Sequence, residues 1–155
     1  MTIPLICGIW ACASAQAPTS TALPTYLESV SAKAAARDRR QPPRSWFLEV
    51  TVKVADGWHV YTEKPGDEFS IPTRVAWNAP KGFAVGRTAY PAPSSTATPR
   101  IWEGEVRFLT SIEAGSVKPG TYRFTGVLSS QGCNAGTCLP PAKVPIVATI
   151  VVSGR

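Results

Sequence analysis

The chain is predicted to fold as an all-β sandwich, and three observations carry that prediction. First, apolar and polar residues alternate with period two in several runs. Trp46, Leu48, Val50, Val52 and Val54 interleave with Phe47, Glu49, Thr51 and Lys53, and Val106, Phe108, Thr110 and Ile112 repeat the pattern. Period two sends successive side chains to opposite faces of a strand, so each run has one buried face. Second, turn signals separate the runs: Asp56-Gly57, Pro65-Gly66-Asp67, Pro80-Lys81-Gly82 and Lys118-Pro119-Gly120. Third, no convincing helical spacing occurs after Ser45. Seven or so short strands without an internal helix must bury their apolar faces against one another, as two packed sheets do.

The elements follow in order. Residues 1–15 are expected to be an export signal: Ile3 to Ala13 is apolar, and Ala13-Ser14-Ala15 has the small residues that signal peptidase cuts, although no Lys or Arg precedes Lys33. The competing expectation is lipoprotein processing at Cys12, which Trp10 suits poorly. Residues 16–44 read as a linker or a short helix. A helix over Tyr26 to Arg39 would put Tyr26, Leu27, Val30 and Ala34 near one face and stop at Pro42-Pro43. The folded domain is expected over 45–155. Its first strand runs to Val54, Trp58 to Tyr61 makes a second, Arg74 to Trp77 a third, and Phe83 to Val85 a short fourth. Gly86 to Arg100 is a long loop rich in Pro and Ser, and its length invites a functional reading. Val106 to Ile112, Tyr122 to Leu128 and Val144 to Val152 complete the set.

Composition narrows the function. With 155 residues there is enough chain for one well-packed domain. Sixteen basic against ten acidic residues give +6, but Arg37, Arg39, Arg40 and Arg44 crowd one segment without interleaved aromatics, so no nucleic-acid partner is indicated. No Gly-rich phosphate loop, Ser-His-Asp set or paired-carboxylate motif is present. After the signal no stretch approaches eighteen continuous apolar residues, so no membrane-spanning helix is expected. Cleavage after Ala15 removes Cys7 and Cys12 and leaves Cys133 and Cys138, one pair suited to an oxidising compartment.

That pair lies in Gln131-Gly132-Cys133-Asn134-Ala135-Gly136-Thr137-Cys138-Leu139-Pro140-Pro141, between two strand-like runs. The turn composition of Asn134 to Thr137 predicts an antiparallel hairpin with a cysteine at each shoulder, near the ~5.5 Å Cα separation a disulfide needs. Closing so short a loop stabilises by only about 2 kcal/mol, so spacing alone leaves a redox-active bridge and a structural staple both open. Gly132 and Gly136 keep bulk from the sulfurs, and Pro140-Pro141 cannot donate to a ladder, which leaves an edge open to a partner. No charge lies between Gln131 and Ala142. The local sequence therefore supplies nothing to activate a thiol, which suits a relay driven by its partner's reactive thiol.

Gln131-Gly132-Cys133, Cys138 and Pro140-Pro141, with Asp56-Gly57-Trp58-His59-Val60-Tyr61 and Pro65-Gly66-Asp67, resemble the N-terminal periplasmic domain of the thiol:disulfide interchange protein DsbD, over about Ser45 to Val152. The resemblance implies an immunoglobulin-like sandwich that relays electrons through Cys133 and Cys138, a protein-disulfide reductase component of the periplasm that serves processes such as cytochrome c biogenesis. It implies thioredoxin-fold partners, a separate membrane electron donor, a monomer and no cofactor. Cys138 would form the mixed disulfide and Cys133 would resolve it. Tyr90 falls where the family's cap loop carries an aromatic, with Arg87 and Thr88 at the places of two family acids; packing at the sandwich edge is the alternative for Tyr90. Tyr61 matches a family tyrosine near the cysteines. His59, the only histidine, stands two residues earlier on the same strand face, as a proton acceptor or an ordinary packing residue. Cys133, Cys138 and His59 make a poor zinc set for want of a fourth ligand, so no metal is expected.

Overall fold

A computed structural model describes residues 22–37 and 44–154. The expected signal at 1–15, with Cys7 and Cys12, lies outside the described residues. The described chain is all-β: β1 (Leu27–Ala36), β2 (Ser45–Val54), β3 (His59–Tyr61), β4 (Arg74–Asn78), β5 (Phe83–Ala89), β6 (Ile101–Trp102), β7 (Glu105–Ala114), β8 (Gly120–Ser130), β9 (Gly132–Cys133) and β10 (Ala142–Val152). One sheet has the order β1-β2-β7-β5 and a second the order β10-β8-β4. A small third sheet, β6-β3-β9, carries the cysteine pair. Every pairing is antiparallel.

The alternation in sequence becomes the inside and outside of the sandwich. Leu48, Val50 and Val52 of β2 and Phe108 and Ile112 of β7 face inward, against Phe124 and Leu128 of β8 and Ile146 and Ile150 of β10. The buried residues form two clusters. One is centred on Trp46, Phe124 and Ile150; the other contains Phe108, Trp102 and Leu128 and reaches the cysteine sheet through Val60. Such a core, apolar on two facing sheet surfaces and polar outside, is an immunoglobulin-like β-sandwich.

The linker or helix expected over 16–44 is corrected for its described part, because Leu27–Ala36 is the edge strand β1, paired with β2 from Leu27↔Val54 to Ala36↔Trp46. Its sequence, LESVSAKAAA, has no β-branched run, and alanine favours helix in isolation. Pairing decides the matter, because β2 offers a free row of backbone groups and the small Ala32 and Ala34 pack onto the core. Opposite charges sit across the join: Lys33 Nζ lies 3.1 Å from Glu49 Oε1, and Lys53 pairs with Glu28. Of the basic segment, the two described arginines are engaged. Arg37 reaches Glu113 at 3.2 Å and stacks over the Phe47 ring, and Arg44 donates to the Gly115 carbonyl at 3.0 Å.

Candidate redox site

The β8–β10 ladder is an antiparallel hairpin registered from Gly120↔Val152 to Ser130↔Ala142. Residues 131–141 leave it at the Ser130–Ala142 end. Instead of turning tightly they fold onto the third sheet, where β9 pairs with β3 as His59↔Cys133 and Val60↔Gly132. Cys133 and Cys138 face each other across a local antiparallel bridge. Backbone bonds flank them on both sides, Asn134 N to Thr137 O and Leu139 N to Gly132 O, each 2.9 Å. The cysteines therefore form the non-hydrogen-bonded pair between two bonded ones, the position where opposite residues come closest. Their Cα atoms are 4.0 Å apart, nearer than the ~5.5 Å expected of a typical bridge, and the sulfurs are bonded. The turn is stiffened by Asn134, whose Oδ1 accepts from the amides of Gly136 and Thr137 at 2.9 Å. Gln131 Nε2 donates to the Leu139 carbonyl at 3.0 Å across the neck of the loop.

The two cysteines differ in exposure. Cys133 is 2% exposed, while Cys138 is exposed. Tyr61 is the side chain that touches both, its hydroxyl 3.3 Å from Cys133 Sγ and 3.8 Å from Cys138 Sγ. Bonded sulfurs carry no proton, so the phenol is the donor in these contacts. His59 is half-buried, directly across from Cys133 in register, with its ring edge-on to Tyr61 at 5.8 Å. Thus Cys133, Cys138, Tyr61 and His59 gather on the third sheet. Among the described residues no three of His, Cys, Asp and Glu are grouped so as to hold a metal ion. No helix among them is long and apolar enough to cross a membrane.

Tyr90 is placed differently. It follows β5, stacks on Trp102 at 5.9 Å, tilts against Phe108 at 5.3 Å, and its hydroxyl accepts from the Val75 amide at 3.2 Å. These contacts tie it to the core beneath the sheets, and none of them involves a cysteine. Arg87 is exposed on β5, and Thr88 exchanges a hydroxyl bond with Thr110 at 2.8 Å across β5 and β7. Trp46 and Trp102 are buried and Trp58 and Trp77 half-buried in the clusters.

Two features escaped sequence reasoning. Tyr26, in the segment expected to be a linker or a short helix, lies fully buried under the cysteine loop. Phe69, on the loop between β3 and β4, is 86% exposed. Asp67 Oδ1 fixes that loop by accepting from the amides of Phe69 and Ser70 at 2.8 Å, and the Ser70 side chain first, with these amides, holds its carboxyl below the usual carboxylate range. The Pro-Gly-Asp turn signal was visible in sequence, but nothing local showed that an aromatic would project from it.

The family model for the N-terminal domain of the thiol:disulfide interchange protein DsbD matches residues 29–148, so the match begins within β1. Among solved structures, the reduced DsbD N-terminal domain of Neisseria meningitidis is 16% identical, with 70% of this chain and 77% of that chain covered and a TM-score of 0.43. The complex between the DsbD and PilB N-terminal domains of the same organism gives 19% identity, 79% and 84% coverage, and 0.47. The N-terminal periplasmic domain of ScsB from Proteus mirabilis gives 18%, 75%, 43% and 0.46; this chain therefore spans less than half of that one. No curated protein matches the chain. The family match spans both cysteines and the strands that hold them, and the chain belongs to the family of the N-terminal domain of the thiol:disulfide interchange protein DsbD.

Proposed function

We propose that this domain passes reducing equivalents between thioredoxin-fold proteins through the Cys133–Cys138 dithiol/disulfide. The observation that carries the reading is the unequal exposure of the two bonded cysteines, one buried and one exposed. Exchange requires a single sulfur to be attacked in line and its neighbour to resolve the product. In the reducing direction, the Cys138 thiolate attacks one sulfur of the partner's disulfide, and the partner's other sulfur leaves as a thiolate and takes a proton. Cys133 then gives up its proton and attacks Cys138 Sγ, and the partner's second sulfur departs as a thiolate. Two electrons pass to the partner and the domain is left as the disulfide, to be reloaded by a donor dithiol through the same steps in reverse.

In this scheme the Tyr61 hydroxyl steadies charge on either sulfur, and His59 receives the Cys133 proton. Resolution of the mixed disulfide should then be slower in His59→Gln; an unchanged rate of resolution returns His59 to packing. The domain works in the periplasm after export, and the intact mass of the exported protein tests this. Mass loss matching residues 1–15 supports it, whereas a lipid on Cys12 shows an anchored form.

The test of exchange is trapping. Incubated with an oxidised thioredoxin-fold protein and run on non-reducing gels, Cys133→Ala should accumulate a mixed disulfide through Cys138, and Cys138→Ala should accumulate little. Equal trapping by both removes the assignment of roles. No trapping by either, with the fold intact, favours a β-sandwich binding module in which the bridge is only a staple.

A further inference from the structure

The loop that carries both cysteines is tied at its base by a side chain from the start of the chain. The hydroxyl of Tyr26 donates to the Ser130 carbonyl at 2.9 Å and lies 3.1 Å from Ser130 Oγ. Ser130 and Ala142 are opposite one another in the β8–β10 ladder, the last pair before residues 131–141 depart. One phenol therefore holds the β8 post from which the cysteine loop springs. Its ring fills the space above the next residues: a Cβ built on Gly132 would stand 2.0 Å from Tyr26 Cγ. Glycine at 132 and tyrosine at 26 share a single volume, and the residue after Gly132 is the buried Cys133. Tyr26 is itself anchored, its carbonyl accepting from the Ala55 amide at 3.0 Å and its ring tilted against Trp58 at 6.3 Å.

We propose that Tyr26 is a positioning residue for thiol-disulfide exchange: it pins the base of the cysteine loop so that Cys133 stays covered and Cys138 stays presented. The physical reason is the cost of an unpaired buried polar group. Without the phenol, the Ser130 carbonyl and hydroxyl face a dry interior and must admit water or shift to find partners. Either response loosens the strand three residues before Cys133. The inference deepens the exchange reading and rests on it for its purpose, yet it is testable on this protein alone. A failed trapping experiment and a failed test of Tyr26 are thus separate results.

The experiment compares the alkylation rates of the two cysteines in the reduced, folded protein, resolved by peptide mass spectrometry. Cys138 should react faster than Cys133 by about tenfold or more, because burial hinders attack. Tyr26→Phe keeps the ring over Gly132 and removes only the hydroxyl. It should lower the Cys138 to Cys133 rate ratio by about threefold or more, the effect of one modest hydrogen bond, through faster reaction at Cys133. Ile150→Val, in the other core cluster, is the control for general softening and should leave the ratio alone. An unchanged ratio in Tyr26→Phe overturns the proposal, as does an equal fall in Ile150→Val. If Tyr26→Phe does not fold, Ser130→Ala, which removes the Oγ contact alone, is judged by the same ratio and the same outcomes.

Discussion

The proposed exchange requires the domain to stay folded in both redox states, and the size of the disulfide ring bounds how much stability reduction removes. The bridge joins residues only 5 apart in sequence, and the chain-entropy estimate for so small a ring is about 2 kcal/mol. For a domain of this size each kcal/mol moves the melting temperature by roughly 3–5 °C, so reduction should lower it by about 6–10 °C. The loop keeps its other ties when the sulfurs part. The Asn134–Thr137 and Leu139–Gly132 backbone bonds, the Gln131 amide on Leu139 and the Asn134 turn all remain. Below, the β8–β10 ladder is continuous from Ser130↔Ala142 to Gly120↔Val152 and is independent of the disulfide. The assay is thermal melting by circular dichroism, with and without a strong reductant, repeated on the Cys133→Ala/Cys138→Ala double variant. A cooperative melt within about 10 °C of the oxidised protein is expected in both cases. Loss of the cooperative transition, or a fall of more than about 20 °C, would refute the reasoning, because the bridge would then be holding the sandwich together.

Two further outcomes are expected. Tyr90→Ala should destabilise the fold by about 2–4 kcal/mol, read from denaturant melts, since it empties the space beside Trp102 and Phe108 and orphans the Val75 amide; alkylation of the reduced thiols should stay at the parent rate, and a faster rate would give Tyr90 the shielding role after all. Asp67 has its carboxyl held below the usual range in the folded state by the Ser70 and Phe69 contacts. Its contribution to stability is therefore full above the unfolded value of about 4 and is lost as pH falls through the lower folded value. Melting temperature followed from pH 5 downward should fall less steeply in Asp67→Asn than in the parent, and parallel curves would remove this carboxylate from the acid response.

Much of this molecule is local in origin and so was legible before folding. Trp46 to Val54 and Val106 to Ile112 alternate because one face of each strand must be dry, and that periodicity survives in any sandwich that uses them. Asp56-Gly57 and Pro80-Lys81-Gly82 mark turns because Gly57 and Gly82 adopt positive φ, which side chains disfavour. The cysteine pair and its turn were visible for the same reason, since Asn134 to Thr137 bend by their own hydrogen bonds. Other features have no local cause. Alanine-rich β1 is a strand only because β2 offers it an edge, and its isolated preference points to helix. That residues 131–141 fold onto β3 rather than turning tightly depends on contacts more than seventy residues away in sequence. Cys133 and Cys138 have the same chemistry and nearly the same neighbours in the chain. Only tertiary packing, with Tyr26 seated on Gly132 and Tyr61 lying against both sulfurs, buries one and leaves the other in solvent.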